Sequence, residues 1–277
     1  MAESLIRQDE RAPRAGLKSY GKTSEAGLPF SAVIITLNAA PQLERCLQSV
    51  AFADEILVVD SGSTDATLEI AQRYGARVIH QDWLGYGKQK QFAAAQARHP
   101  WVLSLDADER VSEELKVSIL AALEAPGFHA YEFPRRNRFM GRWLAHGEGY
   151  PDLSLRLFDR GHASWSDDAV HEKVVPDGPV GRLEGDLLHE SQTTIASYLE
   201  KQNRYTSLQA EALYRAGKRA GLLKLTLSPA FRFIKFYFLR LGFLDGVPGL
   251  AHIAIGCFNG FAKYAKLMER QIGQRRG

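Results

Sequence analysis

Two carboxylates separated by one residue, Asp106 and Asp108, are the side chains of this sequence best suited to chemistry. They follow the apolar run 101–105 in the segment WVLSLDADER, and such a run is typical of a buried strand. Ligands of open α/β sheets bind where strands end, and two carboxylates held this close repel each other unless a proton or a cation relieves them. Because Mg²⁺ is commonly bound by one or two carboxylates and by substrate phosphates, the pair predicts a divalent cation site for a diphosphate ligand. A solvated turn that caps the next helix is the alternative.

The segments around these acids alternate between strand type and helix type. We predict strands over 31–37, 55–59, 76–80 and 101–105. We predict helices from Pro41, over 66–74, near 88–98 and over 112–123. This spacing is typical of βαβ units, and therefore of a parallel sheet with helices on both faces. Beyond it we predict strands at 130–133 and 153–158, an irregular stretch at 161–189, and helices after Thr194.

Further polar residues follow the predicted strands at the same edge of the sheet. Thr36 and Asn38 end the first strand, and Asp60 ends the second. The carboxyl ends of parallel strands lie side by side, so we expect these residues to share one crevice with the two acids after the fourth strand. Convergence from separate segments favours a ligand site over unrelated helix caps.

The amino-acid composition is that of a globular protein and excludes a largely disordered chain. The 277 residues are 45% hydrophobic and 24% charged, and the net charge is +3. The two cysteines, Cys46 and Cys257, show no CxxC spacing, which argues against a zinc or redox motif and fits a reducing cytosol. We expect Cys46 on the apolar face of the first helix. The positive charge concentrates in residues 221–277, where nine Lys and Arg oppose two acids.

Three segments in this order, SAVIITLN, EILVVDSGSTDAT and WVLSLDADE, resemble the inverting nucleotide-sugar glycosyltransferases of family 2. The similarity continues through DLSLRLF, DDAVHEKV, LLHES and YFLRLGFLDGVPGL, where the chain resembles bacterial lipopolysaccharide-core β-glucosyltransferases. The resemblance implies an α/β fold of GT-A type, with a Rossmann-like, mostly parallel sheet flanked by helices and a C-terminal helical, amphipathic extension. We expect a flexible tail (1–29), a catalytic domain (30–192) and a helical membrane-associating region (193–277).

The same resemblance implies the roles of the donor-site residues. Asp60 would accept a hydrogen bond from the uracil of a UDP-sugar, and Thr36 and Asn38 would line the nucleoside site. Of the acidic pair, one carboxylate would face the ribose and the other a Mg²⁺ or Mn²⁺ ion that bridges the diphosphate. We assign donor binding to Asp106, and metal binding to both Asp108 and Asp106.

Two other residues are weaker candidates for the donor site. Lys88 could place a charge near the donor, or it could simply face solvent. His189 could be a third metal ligand or could bind the diphosphate, but a structural histidine is the alternative.

Inversion requires a base that deprotonates the acceptor hydroxyl as it attacks the sugar. The candidates lie in the segment SDDAVHEKV and are Asp167, Asp168, His171 and Glu172. Relatives often place an acidic base here, sometimes in a Glu-Asp pair, which this chain lacks. We predict Glu172 as the catalytic base and Asp168 as the second candidate, with an ion-paired surface acid as the alternative for Glu172.

Four arginines with two aromatic residues make one predicted loop basic: Arg135, Arg136, Arg138, Phe139, Arg142 and Trp143. The arginine fork matches phosphate, so the loop could hold an anionic acceptor. Nucleic acid is the rival ligand, but no nucleic-acid-binding motif accompanies the patch, and we expect no nucleic acid partner.

The segment 228–241 predicts contact with a membrane surface. It combines large apolar residues with Arg232, Lys235 and Arg240 on one side of a helical wheel, a pattern typical of an interfacial helix. The uncharged run 246–262 is too short and too broken by Gly and Pro for a span. Packing of the aromatic residues on the catalytic domain or on a partner subunit is the alternative. We predict a cytoplasmic enzyme, peripheral on the inner face of the bacterial inner membrane.

The leading hypothesis is an inverting, metal-dependent glycosyltransferase that moves a sugar, first of all glucose, from a UDP-sugar to the lipopolysaccharide inner core. Transfer to polyprenyl phosphate or another glycolipid is an enzymatic alternative. A non-catalytic sugar-nucleotide-binding protein is the alternative of a different class. The sequence leaves open the donor sugar, the acceptor hydroxyl, the divalent metal and the oligomeric state.

Overall fold

A ten-stranded mixed sheet forms the centre of the protein in the computed structural model, which describes residues 27–167, 172–191 and 194–274. The strands are β1 (Phe30–Thr36), β2 (Glu55–Asp60), β3 (Arg77–His80), β4 (Trp101–Asp106), β5 (Glu109–Val111), β6 (Ala130–Phe139), β7 (Arg142–Trp143), β8 (Asp152–Asp159), β9 (Ala163–Trp165), β10 (Val174–Pro176), β11 (Gly181–Arg182) and β12 (Leu187–His189). The order along the main sheet is β3-β2-β1-β4-β8-β6-β12-β5. Strands β9 and β10 form a separate antiparallel pair.

The helices flank this sheet and then continue as a C-terminal helical region. They are α1 (Ala40–Ser49), α2 (Thr67–Arg73), α3 (Tyr86–Gln96), α4 (Glu113–Glu124), α5 (Ile195–Arg215), α6 (Leu222–Phe233) and α7 (Gly246–Gln274). A π-helical segment (Ile234–Leu239) and a 3₁₀ turn (Gly242–Asp245) lie between α6 and α7.

The four strands β3, β2, β1 and β4 are parallel, and the chain order reverses between β1 and β4. Alternate residues of these strands pack on opposite faces of the sheet, as the period of a strand requires. Ile34 and Leu103 join the core under α1 and α4, whereas Val33 and Val102 join the core under α3. The predicted α/β class, with a mostly parallel sheet flanked by helices, is confirmed.

The first helix forms as its sequence predicts. Pro41 stands in its first turn, where the missing N–H costs nothing, and Leu43, Cys46 and Leu47 are buried on one face. Cys46 is therefore a buried core thiol, as predicted, and burial raises the pKa of its thiol. The helix directs the end of β1 toward the edge of the sheet where Asp60 and Asp106 also lie.

The structure differs from the prediction after Asp108. Strand β5 follows the acidic turn at once, and β6 is ten residues long where four were predicted. The stretch 161–189, predicted to be irregular, contains β9 to β12. Each of these four strands is two or three residues long, and β12 is stabilised by pairing with distant β5 and β6. Local periodicity cannot reveal pairing of this kind.

The predicted interfacial helix over 228–241 is divided in the structure. Helix α6 contains Pro229 and passes into the π-helical segment before the chain turns at Gly242. Among the described residues, no single helix has the length and hydropathy of a membrane span, although Leu222–Leu239 and Gly242–Gly273, bent by 75°, meet those limits as a pair.

The bend between the two C-terminal segments is held against the sheet region by Asp245. This side chain is buried, and its carboxylate accepts backbone hydrogen bonds from Ala145 at 3.0 Å and His146 at 2.8 Å. Arg232 of α6 also pairs with Glu148, which follows in the same loop. Gly147 N of this loop also donates to Arg240 O at 2.8 Å, so the C-terminal region is attached to the loop between β7 and β8 at several points.

Candidate functional site

A cleft of about 1950 Å³ lies at the carboxyl edge of the sheet, beside the ends of β1 and β4, where the strand order reverses. This is the position at which open α/β sheets bind ligands. Of the predicted site residues, six line the cleft: Thr36, Asn38, Asp106, Asp108, Glu172 and His189. Two do not, since Asp60 lies beneath its surface and Lys88 lies outside it. Asp168 lies outside the described residues.

Asp60 organises the loop at one side of the cleft. It is 2% exposed, and its carboxylate accepts hydrogen bonds from Gly62 N at 2.9 Å, Ser63 N at 2.8 Å and Thr36 Oγ1 at 2.9 Å. Burial alone would raise the pKa of Asp60. The hydrogen bonds to its carboxylate, those of Ser63 first, outweigh burial, so the pKa lies below its usual value and the group is ionised. A uracil contact, as predicted for Asp60, requires the carboxylate to exchange one of these bonds for the base.

Asn38 joins the end of β1 to the same loop. Its Oδ1 accepts from Thr64 N at 2.8 Å, and its own backbone N–H donates to Ser63 Oγ at 2.8 Å. Its φ of 51° lies in the left-handed region, which Asn tolerates better than most residues. The predicted nucleoside-site residues are thus part of one hydrogen-bonded wall.

Asp106 is neutralised by two buried cations. Lys90 Nζ lies 3.1 Å from its Oδ1, and Arg156 Nη2 lies 3.1 Å from its Oδ2. Burial raises the pKa of Asp106, but the charges of Lys90 and Arg156 outweigh burial and hold it far below its usual range. Both oxygens therefore have cationic partners, and in this conformation Asp106 is less available to a metal than Asp108.

Sequence reasoning missed both of these buried cations, and Lys90 contacts more of the site than Asp106 alone. It is 4% exposed, and its Nζ also lies 3.1 Å from Glu172 Oε1 and 4.9 Å from the centre of the Trp165 ring. Lys and Arg are almost never buried unless paired. The sequence did contain a signal for Lys90: it lies one turn into helix α3, two residues after Lys88, which we selected instead.

Lys88 is placed differently from Lys90. Its side chain is 62% exposed and pairs with Asp167 at 3.5 Å. Residues 88 and 90 are about 200° apart around a helix, so only one of the two can face the sheet. The structure places Lys90 there.

Asp108 and His189 form an open pair of potential metal ligands. His189 Nε2 lies 3.2 Å from Asp108 Oδ2, and both side chains are partly exposed to the cleft. Asn137 Oδ1 lies 2.7 Å from His189 Nδ1, and Asn137 Nδ2 donates to Gly149 O at 3.4 Å, which turns Oδ1 toward the ring. Nδ1 therefore faces the amide of Asn137, and Nε2 faces the carboxylate of Asp108.

This geometry fits a divalent cation. An imidazole nitrogen and a carboxylate oxygen at this distance share a proton or a bound cation. A carboxylate and an imidazole whose second nitrogen is held by an amide are a common part of metal sites. With two protein ligands, the remaining positions are open to diphosphate oxygens and water.

Glu172, the predicted base, is connected to Asp106 through Lys90, which pairs with both carboxylates. It lines the cleft and is partly buried. Helix α5 lines the same cleft. Glu172 thus shares one cleft with the acidic edge of the sheet and with α5.

Another cluster of potential metal ligands lies outside the cleft. It consists of His129, Asp159 and His162, whose ligand atoms lie within 4.8 Å of one another. Asp159 is paired with the first residue of β4, at the end of the strand opposite to Asp106. We assign no role to this cluster.

Comparisons with known proteins identify relatives of this chain. Residues 31–165 match the model of the family described as "Glycosyl transferase family 2". The "Lipopolysaccharide core biosynthesis glycosyltransferase LpsC" of Rhizobium meliloti (strain 1021) is 34% identical over 253 residues, which are 88% of this chain and 93% of that protein. An "Uncharacterized glycosyltransferase" of Rickettsia felis is 35% identical over 257 residues, covering 87% and 89% of the two chains.

Solved structures show more distant likenesses. Residues 1–349 of S. aureus TarS, in complex with UDP-GlcNAc, align at 16% identity over 86% of this chain and 92% of that chain, with a TM-score of 0.47. Glucosyl-3-phosphoglycerate synthase from Mycobacterium tuberculosis, in complex with Mn²⁺ and UDP, aligns at 25% identity over 40% and 45%, with a TM-score of 0.35. These TM-scores are too low to support statements about the site. The similarity to the Rhizobium protein covers nearly the whole of both chains, and on that basis the chain belongs to the family-2 glycosyltransferases, as predicted.

Proposed function

We propose that this enzyme is an inverting, metal-dependent glycosyltransferase that moves a hexose from a UDP-sugar to the inner core of lipopolysaccharide. Glucose is the first candidate for that hexose. The observation that carries the proposal is the grouping of Asp108, His189 and Glu172 in one cleft at the edge of the sheet. The printed name of the Rhizobium relative supports a saccharide acceptor of this class.

Asp108 and His189 would hold the divalent cation, Mg²⁺ or Mn²⁺. When bound, the cation neutralises charge on the UDP leaving group. Asn137 fixes the imidazole of His189, while Asp106 stays bound to Lys90 and Arg156. The remaining predicted donor residues, Thr36, Asn38 and Asp60, would shape the nucleoside end of the site.

Glu172 would remove the proton from the acceptor hydroxyl. A base must lie within hydrogen-bond reach of that hydroxyl, and Glu172 lies on the cleft wall with Oε1 on Lys90. Its other oxygen can then accept from the acceptor, on the side of the cleft formed by α5. Asp168 is the second candidate for this role.

UDP release from a panel of UDP-sugars tests the function. With deep-rough lipopolysaccharide as acceptor, we expect release that requires both the acceptor and Mg²⁺ or Mn²⁺, and that EDTA stops. Polyprenyl phosphate and other glycolipids are the comparison acceptors. UDP binding without release over any donor and acceptor would instead support a non-catalytic sugar-nucleotide-binding protein.

We also propose that the C-terminal region binds the cytoplasmic face of the inner membrane. Every residue of α6 is at least partly exposed, and Leu223 and Leu239 are 74% and 75% exposed. Lys224, Lys235 and Arg240 belong to the same exposed segment. Exposed apolar side chains with neighbouring cations suit an anionic lipid surface.

Binding to lipid vesicles checks this part of the proposal. We expect the protein to bind vesicles of phosphatidylglycerol and phosphatidylethanolamine, and the double variant Leu223→Ser Leu239→Ser to partition at least about tenfold more weakly, since each buried leucine contributes about 2 kcal/mol. Val117→Ser is the matched control, because Val117 is an exposed apolar residue of α4. Equal sedimentation of the double variant and the control with vesicles would contradict the proposal.

A further inference from the structure

The cleft is larger than a nucleotide-sugar site requires. Ligand pockets for small molecules commonly measure about 300–1,000 Å³, and this cleft measures about 1950 Å³. Its additional wall is one face of α5, from which Tyr198, Lys201, Gln202 and Tyr205 line the cleft at the i, i+3, i+4 and i+7 positions. The α5 side of the cleft therefore has room for a second substrate.

The arginines that the sequence indicates for an anionic acceptor already have partners. These arginines lie on β6 and β7, not on a loop as predicted. Arg135 donates to Asp152 Oδ2 at 2.7 Å, and the other three also face carboxylates. The pairs are Arg136 with Asp186, Arg138 with Glu190 and Arg142 with Asp245. An anion would have to displace these carboxylates, so this basic segment is a poor site for it.

Three other cationic side chains of the cleft differ from these arginines in having no carboxylate partner among the described residues. Lys173, Lys201 and Arg204 line the cleft and are exposed to it. Within residues 27–167, 172–191 and 194–274, none of the three has a carboxylate within ion-pair distance. Their charges are thus available to a ligand.

These cations lie close to the proposed base. Lys173 follows Glu172 directly in the chain. On α5, Lys201, Arg204 and Tyr205 line the same cleft as Glu172, and Lys201 Nζ lies 5.8 Å from the centre of the Tyr205 ring. The three cations therefore share a cleft with the carboxylate that the acceptor hydroxyl must approach.

Helix α5 is held firmly enough to present a defined site. Lys266 of α7 donates to Asn203 Oδ1 at 2.6 Å and to Thr206 Oγ1 at 2.8 Å, and Asn259 of α7 donates to Gln202 Oε1 at 2.9 Å. Binding groups held by neighbouring contacts lose less freedom when a ligand binds. The cations of α5 thus lie on a helix whose position α7 fixes.

We infer that Lys173, Lys201 and Arg204 form a subsite for an anionic group, a phosphate or a carboxylate, that the acceptor carries beside the sugar to be glycosylated. The inference rests on the proposed function, because it takes Glu172 as the point of acceptor attack. The arginine fork can bind two oxygens of either group, while the lysines act as point charges. Acceptors with such a group are favoured over neutral glycans.

Calorimetric titration of soluble acceptor fragments tests the subsite without turnover. The probes are deacylated deep-rough core oligosaccharide, the same material after phosphate removal, and the same material after carboxyl reduction, each in the presence of UDP. We expect one of the two treatments to weaken binding at least about tenfold, which identifies the anion. Equal binding of all three probes overturns the subsite.

Matched double variants identify the residues. Lys201→Gln Arg204→Gln should weaken binding of the untreated oligosaccharide at least about tenfold and leave UDP binding unchanged. Lys218→Gln Arg219→Gln removes the same charges from exposed positions after α5 and should leave both unchanged. Weaker UDP binding in the α5 variant would assign these cations to the donor and overturn the inference. Anion-dependent binding without sugar transfer would contradict the proposed function and leave the subsite standing.

Discussion

The variant Glu172→Gln should transfer sugar about 10²- to 10⁴-fold more slowly than the parent enzyme, with UDP binding unchanged. Glutamine keeps the shape of the side chain and an oxygen that can accept from Lys90, but it cannot take the proton of the acceptor hydroxyl. Lys90 also keeps its second partner, Asp106, so no buried charge is left unpaired. The measurement is kcat from UDP release at saturating donor and acceptor, with a thermal melt to verify folding.

Glu113→Gln is the matched control for this variant. Glu113 is an exposed, ion-paired glutamate in the first turn of α4, and it is not part of the cleft. We expect its kcat to equal that of the parent. A Glu172→Gln enzyme with more than a tenth of the parental kcat would exclude Glu172 as the base, and Asp168→Asn would then be the next variant to measure.

The elements that carry the proposed donor-site residues are local and were predicted to within about two residues. Strands β1, β2 and β4 are continuous apolar runs because both faces of the sheet are covered, and α1 begins at its proline signal. Their carboxyl ends converge because parallel neighbours share one edge. The clustering of Thr36 with Asp60, seen in their 2.9 Å hydrogen bond, follows from that topology.

The other charged side chains of the cleft depend on contacts that the sequence does not show. Lys88 and Lys90 are equivalent by composition, and only the rotation of α3 against the sheet decides which of them meets Asp106. The arginines of the β6 region are neutralised by acids up to a hundred residues away, such as Asp245 for Arg142. Charge counted along a segment therefore overstates the charge that the folded surface presents.

The position of the C-terminal region links the proposed membrane surface to the cleft. Helix α7 fixes α5 through Lys266, and it also supplies His252, which lines the cleft beside Tyr198 and Phe139. Burial lowers the pKa of His252, and the neighbouring Arg232 lowers it further, so the ring is neutral. An acceptor that enters the cleft would therefore contact α5 and α7, and α7 also packs against α6, which carries exposed apolar residues.

The variant Asp108→Asn should lower kcat at least about 10³-fold, because loss of a metal's charge stabilisation costs several kcal/mol in the transition state. Asparagine keeps the size of the side chain and removes the charge that would bind the cation together with His189. In the presence of UDP, titration with Mn²⁺ should show binding to the parent enzyme and at least about tenfold weaker binding to the variant. Asp82→Asn, at an exposed position outside the cleft, is the matched control. A parent enzyme that keeps its full rate in EDTA would refute the metal site, and so would an Asp108→Asn enzyme as active as the control. The buried cations Lys90 and Arg156 would then be the groups left to balance the charge of the leaving diphosphate.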